Sequence, residues 1–356
     1  MDGTRGTSNE FSALAGKRVL ITGHTGFKGA WLAEWLLQLG GEVHGIALAP
    51  EAPGSLFERL GLAARLRHVE CDITDAEGLS RHVREAAPDV VFHLAAQALV
   101  RRSYRDPLRT WTVNVIGTLN VLEAVRASNR PARVVAVTTD KVYRNREWPH
   151  AYRESDELGG HDPYSASKAA CEIAVASWRA SFAETSGVRV ATARAGNVLG
   201  GGDHAEDRIV PDCYRSWSRG APVALRHPHS TRPWQHVLEP LGGYIRLADH
   251  LNAAAPVEAV NFGPGPSGDR RVHELVSGLA RLAPDRVWND ESEPGAVHEA
   301  KALSLAIDLA RHRLAWQPLL SFDETLQWVD RGYSRDESTA DVVRDQIHSY
   351  QDRRTV

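Results

Sequence analysis

The chain has 356 residues, with 42 Lys+Arg against 45 Asp+Glu and a formal net charge of −3. That length suits one large α/β unit with a satellite, or two domains, and the near balance of charge excludes a protein that grips nucleic acid along a broad basic surface. No apolar run of about 18 residues appears, and residues 1–11 lack the apolar core of a signal peptide. Three scattered cysteines, Cys71, Cys171 and Cys213, lack metal-type spacing and fit a reducing compartment. A soluble, cytoplasmic protein without membrane or nucleic-acid partners is expected.

Residues 1–12 read as a disordered leader. Arg18-Val19-Leu20-Ile21-Thr22 is a short apolar run that reads as a buried parallel strand. A helix is expected over 30–39, closed by Gly40-Gly41, then strands over 42–48 and 67–71, the latter ended by Asp72. Helix 76–87, strand 89–94, helix 110–128, strand 133–138, helix 164–186 and strand 188–194 follow. Strands alternating with helices, joined by connections too long for hairpins, predict an α/β fold: a Rossmann-like, doubly wound parallel sheet covered on both faces. After residue 197 prolines and a glycine triplet break the alternation, with one more strand over 257–262 and helices over 273–282 and 322–333. We expect the dinucleotide-binding domain over 13–196, with 237–264 returning to it. A smaller mixed α/β substrate lobe is expected over 197–236 and 265–333, and a charged tail over 334–356.

Gly23-His24-Thr25-Gly26-Phe27-Lys28-Gly29 lies between the first strand and the first helix. Its glycines permit a tight turn, close approach of a pyrophosphate and close helix–sheet packing. The helix N-terminus offers free N–H groups to phosphate. The acid that should end the second strand and hold the adenosine ribose is missing, since Ala47-Leu48-Ala49-Pro50 stands there. Asp72 is a candidate for the adenine edge or a plain turn cap. Further on, Tyr164 and Lys168 share a helix face at i and i+4, and an ammonium beside a phenol favours a tyrosinate base. Lysine occurs only at 17, 28, 141, 168 and 301, which singles out these positions. Thr138-Thr139-Asp140-Lys141 closes an apolar strand, where side chains reach the ligand crevice of a parallel sheet. The histidines show no metal-ligand spacing, and no metal is expected.

Gly23-x-x-Gly26-x-x-Gly29, His93-Leu94-Ala95-Ala96-Gln97, Asn114 and Tyr164-x-x-x-Lys168 resemble the extended short-chain dehydrogenase/reductases that act on nucleotide sugars. Thr139-Asp140-Lys141-Val142-Tyr143, Gly159 to Tyr164, Gly196 to Asp203 and Thr231 to Val237 narrow the likeness to the nucleotide-sugar 4,6-dehydratases, from about Gly16 to Tyr333. The resemblance implies NAD held by Gly23, Thr25, Gly26, Phe27, Lys28 and Gly29, by Asp72 and Ile73, and by Ala95, Ala96, Gln97, Asn114, Tyr164 and Lys168. It implies that Tyr164 deprotonates the sugar 4-hydroxyl as the C4 hydride leaves, that Lys168 holds the nicotinamide ribose and depresses the Tyr164 pKa, and that Thr139 bonds the 4-oxygen. Asp140 protonates the departing 6-hydroxyl, and the hydride returns to C6. Lys141 stands where relatives carry a glutamate that removes the C5 proton; it acts as that base if neutral, or stabilises the enolate electrostatically.

For the substrate, Trp148 is expected to roof the sugar, Asn197, Arg208 and Arg232 to hold the diphosphate, and Glu299 to lie near the nucleotide. His150-Ala151 replaces the aromatic-glycine pair expected after Trp148. The helices at 110–128 and 164–186 are the pair through which the family dimerises, so a homodimer, or a tetramer built of two, is expected. A nucleotide-sugar epimerase is the nearest rival, but it eliminates no water and has no use for the Asp140-Lys141 pair. A redox sensor that has lost catalysis is the rival of another class.

Overall fold

The structure is a computed structural model and describes residues 11–265, 268–292, 303–334 and 336–354. Seven runs rich in Val, Ile and Ala form one parallel sheet. They are β1 Arg18–Thr22, β2 Glu42–Ala47, β3 Arg67–Glu70, β4 Val90–His93, β5 Ala132–Val137, β6 Val188–Ala195 and β7 Ala259–Phe262. Their spatial order is β7-β6-β5-β4-β1-β2-β3, parallel throughout. The order reverses between β1 and β4, and the carboxyl ends of those strands frame the crevice where a doubly wound sheet takes its ligand.

Among the described residues, the longer helices carry most of the remaining packing: α1 Phe27–Gln38, α2 Ala76–Ala86, α3 Gly117–Ala127, α4 Pro163–Ser186, α5 Ile209–Trp217, α6 Leu238–His250, α7 Val272–Ala280, α8 Phe322–Tyr333 and α9 Thr339–Asp352. The strands bury both faces by simple alternation. Val19, Ile21, Phe92 and Val135 point into a core shared with α1, α6 and α9. Leu20, Val91 and Val134 point the other way, onto α2, α3 and α4. A smaller core of Leu199, Val210, Trp234, Leu275, Leu279 and Leu326 joins α5, α7 and α8. Beside it, Thr231–Pro233 pairs antiparallel with Asp269–Arg271. No helix among the described residues is long and apolar enough to cross a membrane.

Four local readings change. The expected helix 110–128 starts at Pro107, capped by Asp106, whose carboxylate accepts from Arg109 N–H at 3.0 Å. It passes through a π turn at Thr112–Ile116 before α3 begins. Residues 1–10 of the expected leader lie outside the described residues, but Phe11 belongs to the core, edge-on to Trp35 at 5.0 Å. The tail carries α9, whose Val342, Val343, Ile347 and Tyr350 are buried, a contribution on the order of 2 kcal/mol per side chain. Its Arg344 bonds the buried Glu34 carboxylate at 3.1 Å. Finally, α6, which the sequence reading left out, is buried on nearly every side. Pro240 sits in its first turn, where a missing N–H costs nothing, and Gly243 makes room for Phe262, whose ring a Cβ would meet at 2.3 Å.

Candidate active site

The glycine loop is shaped by close approaches. Gly23 turns with φ +79°, and a Cβ there would lie 2.7 Å from the Ala95 amide, so the loops after β1 and β4 touch at the point where the sheet order reverses. A Cβ on Gly29 would come 2.2 Å from the Gly23 carbonyl. Gly26 is different: it is exposed, a Cβ there would meet only the Gly23 carbonyl at 3.4 Å, and it begins α1 without any side-chain cap. The first N–H groups of α1 therefore face open space at the positive end of the helix dipole, which is the donor set a pyrophosphate requires. Thr25 donates to the Leu48 carbonyl at 2.9 Å, and Phe27 packs against the main core.

Around this loop the other cofactor candidates fall on both sides of the crevice. Asp72 accepts from the Thr74 amide at 2.9 Å and hydroxyl at 2.8 Å and pairs with Arg109, so its carboxylate is engaged in shaping the turn after β3. Ile73 is buried against Gly117. Ala95 and Ala96 line the stretch after β4, half-buried. The Gln97 side chain braces its own loop, with its oxygen accepting from the Leu99 amide at 2.8 Å and its amide donating to Thr110 at 3.0 Å. The π turn delivers Asn114 inward, where it accepts from the Gln97 amide at 2.9 Å and donates to the Ser167 hydroxyl at 2.8 Å. That contact ties the loop after β4 to α4.

Helix α4 starts at Pro163 behind an Asp162–Ser165 capping box, which fixes Tyr164 at its first turn. Tyr164 is 9% exposed and Lys168 4%. The Lys168 ammonium donates to the Val137 carbonyl at 3.0 Å, and burial lowers its pKa. At the end of β5, the Thr139 hydroxyl donates to Asp140 at 2.9 Å and accepts from the Lys141 amide at 3.3 Å. Burial raises the Asp140 pKa against the opposing charges of Lys141, Arg232 and Lys28. Burial likewise pushes the Tyr164 phenol up to about 12, with hydrogen bonding to Thr139 pulling it down, the Asp140 charge pushing it further up and the Arg208 charge favouring the phenolate. The influences that favour a tyrosinate thus come from Thr139 and Arg208, while the Lys168 ammonium is tied to the backbone. Lys28 joins the same pocket: burial lowers it to about 8, helped by Arg208 and opposed by Asp140.

Of the substrate candidates, Arg208 pairs with Asp203 at 2.7 Å and Arg232 is buried within reach of the Asp140 charge. Asn197 follows Gly196, which packs against Asp140, and its Nδ2 is buried without a hydrogen-bond partner. A ligand oxygen would satisfy that donor. Trp148 stands out in the loop after β5, 5.6 Å beneath the Arg146 guanidinium. Glu299 lies outside the described residues. Among the described residues no group of three or more His, Cys, Asp or Glu could hold a metal ion.

A buried network behind the site escaped the motif reading. Glu172 accepts from the Thr138 hydroxyl at 2.5 Å, the Thr192 hydroxyl at 2.6 Å and Arg194 at 2.8 Å. Arg194 also donates to the Tyr143 hydroxyl at 2.9 Å, which donates to Asn261 at 2.6 Å. It thereby links α4, the ends of β5 and β6, and the start of the Trp148 loop. Glu172 lies one turn beyond Lys168, and that spacing is the signal that could have found it. His24 in the glycine loop also turns inward, 2.7 Å from His68, over Gly45, whose lack of a side chain admits its ring.

Fold and site together define an extended short-chain dehydrogenase/reductase of the kind that processes nucleotide sugars. The chain belongs to the GDP-mannose 4,6 dehydratase family, whose model matches residues 20–257. It is 45% identical over 322 residues to the CDP-glucose 4,6-dehydratase of Salmonella typhimurium, covering 87% of this chain and 89% of that protein. It is 29% identical to the UDP-glucose 4-epimerase of Mycolicibacterium smegmatis, covering 86% and 95%. The solved complex of Thermus thermophilus UDP-glucose 4-epimerase with NAD superposes with a TM-score of 0.75 at 25% identity, covering 90% of this chain and 99% of that one.

Proposed function

We propose that this chain is a cytoplasmic, NAD-dependent CDP-glucose 4,6-dehydratase, a lyase that converts CDP-glucose to CDP-4-keto-6-deoxyglucose and water. The observation that carries the reading is the turn of buried Thr139 and Asp140 and half-buried Lys141 set against Tyr164: an acid with a raised pKa beside a phenol base is what dehydration needs and epimerisation does not. The choice of nucleotide and sugar rests on the Salmonella relative. The three cysteines are unpaired, in keeping with a reducing compartment.

The uncapped first turn of α1 and the open space at Gly26 fit a dinucleotide pyrophosphate. Gly23 to Gly29, Ile73, Ala95 to Gln97 and Lys168 are the groups proposed to hold it, with Asp72 and Asn114 shaping the walls. When bound, the nicotinamide supplies a hydride acceptor that is regenerated within each turnover. Tyr164 takes the proton of the 4-hydroxyl while Thr139 holds the 4-oxygen. Lys141 takes the C5 proton, made acidic by the 4-ketone, and Asp140 protonates the leaving 6-oxygen. Arg208, Arg232 and Asn197 bind the diphosphate, and Trp148 covers the sugar.

Exposed apolar side chains support a homodimer. Leu108 (80% exposed), Trp111, Ile116, Ile173 (61%) and Phe182 lie on α4 and on the segment running from Pro107 through the π turn, a patch that a second copy would cover.

The test is a panel of CDP-, dTDP-, UDP- and GDP-hexoses with added NAD in heavy water, read by NMR and mass. The reading predicts loss of water from CDP-glucose with deuterium at C5. Turnover of a different nucleotide sugar would move the specificity; epimerisation without loss of water would overturn the role of Asp140.

A further inference from the structure

The proposed reaction leaves a proton account that must close. Oxidation at C4 moves the 4-hydroxyl proton to Tyr164. Elimination moves the Asp140 proton to the 6-oxygen as the C6–O bond breaks, Lys141 takes the C5 proton, and the C5–H electrons become the C5–C6 double bond. Hydride returns to C6, and Lys141 gives a proton back to C5, so the hydride and the C5 proton each balance. What remains is Tyr164 with one proton too many and Asp140 with one too few. Overall, the 4-hydroxyl hydrogen and the 6-hydroxyl leave as water.

The two residues are not isolated from each other. The Thr139 hydroxyl donates to Asp140 Oδ1 at 2.9 Å and lies close enough to the Tyr164 phenol to draw its pKa down. Asp140 Oδ2 lies on the other side, against Gly196, where a Cβ would press on it at 3.3 Å and glycine leaves it room. One carboxylate oxygen therefore meets Thr139, and the other lies beside a residue that does not crowd it. Solvent is a poor source of the missing proton, since Asp140 is 3% exposed, Thr139 6% and Tyr164 9%.

We propose that Thr139 is a proton relay, passing to Asp140 the proton that Tyr164 takes from the 4-hydroxyl. The Tyr164 O–H bond breaks as its proton moves to Thr139 Oγ1, and the proton Thr139 held moves to Asp140 Oδ1. Tyr164 is again a base, Asp140 again an acid, and no proton is drawn from bulk water. This goes beyond binding of the 4-oxygen, and it rests on the dehydratase reading above.

Rapid-quench time courses with CDP-glucose distinguish the two roles. Thr139→Val keeps the shape of the side chain and removes the hydroxyl. The relay predicts a burst of about one product per active site, because Asp140 starts protonated. A steady state at least tenfold slower should follow, and added buffer acid should accelerate it. Thr139→Ser should restore a linear, buffer-independent course, and Thr139→Ala gives a second hydroxyl-free variant should the valine fail to fold by circular dichroism. A hydroxyl-free variant whose first and later turnovers proceed at one rate, or whose steady state ignores buffer, would overturn the relay. No dehydration of CDP-glucose by the unaltered protein would instead overturn the reading on which it rests.

Discussion

In the proposed reaction Tyr164 and Lys141 divide the work by which proton each handles. Tyr164→Phe should cut turnover by about 10²–10⁴-fold, the usual worth of a positioned acid–base group, while nucleotide affinity measured by calorimetry stays within a factor of a few. Lys141→Met should abolish both water loss and deuterium entry at C5, yet leave a reduced-cofactor signal at 340 nm on mixing with CDP-glucose; loss of that signal would place Lys141 in the oxidation step. Most of the proposed reacting groups could be picked out in the sequence because each sits in a short string, with Tyr164 and Lys168 one turn apart and Thr139 to Lys141 contiguous. What a string cannot show is which group answers to which. Lys28 reads as a cofactor ligand of the glycine loop, yet its ammonium also feels the charges of Arg208, Asp140 and Lys168. Arg194 and Glu172 are 22 positions apart and meet only because α4 packs back over β6.

At the scale of elements, the strands and helices stand where alternation of apolar runs put them, because a parallel sheet covered on both faces writes its strands as continuous Val, Ile and Ala. Two helices have atypical burial or period: α6, enclosed on nearly every side, and the helix interrupted by the π turn, whose extra residue per turn shifts the 3.6 period to bring Asn114 inward. The buried Arg194–Glu172 pair holds α4 to β6, and Arg194→Met should destabilise the fold by about 3–5 kcal/mol by leaving Glu172 uncompensated, read from denaturant midpoints. A restorative double change, Arg194→Met with Glu172→Gln, should recover part of that loss. Helix α8 is seated by a glycine pair: a Cβ on Gly332 would lie 2.7 Å from Gly201 Cα. Gly332→Ala should push α8 off the loop that leads to Asp203 and Arg208, raising the KM for nucleotide sugar more than it lowers kcat.

For the whole molecule, acid should be the weak flank. His236 is buried edge-on to Trp31 and Trp328, and desolvation lowers its pKa from 6.5 to about 3. The unfolded chain therefore takes up the proton first, and the stability tied to a neutral His236 is lost as pH falls from about 6.5 toward 3. Between pH 7 and pH 5 the unaltered protein should lose about 2 kcal/mol more than His236→Phe; equal losses would show that the histidine finds a proton without unfolding. Ile173→Glu should convert a homodimer to monomer in sedimentation, whereas a chain that is monomeric before substitution would remove the apolar patch from the account. The central claim is that one sugar is oxidised, dehydrated and reduced in a single closed cycle. CDP-glucose carrying deuterium at C4, turned over beside unlabelled substrate, tests it most directly. The account predicts that deuterium moves to C6 of the same molecule, in a 4-keto-6-deoxy product, with none crossing to the unlabelled pool. Deuterium kept at C4 of an epimer, or lost without appearing at C6, would contradict it.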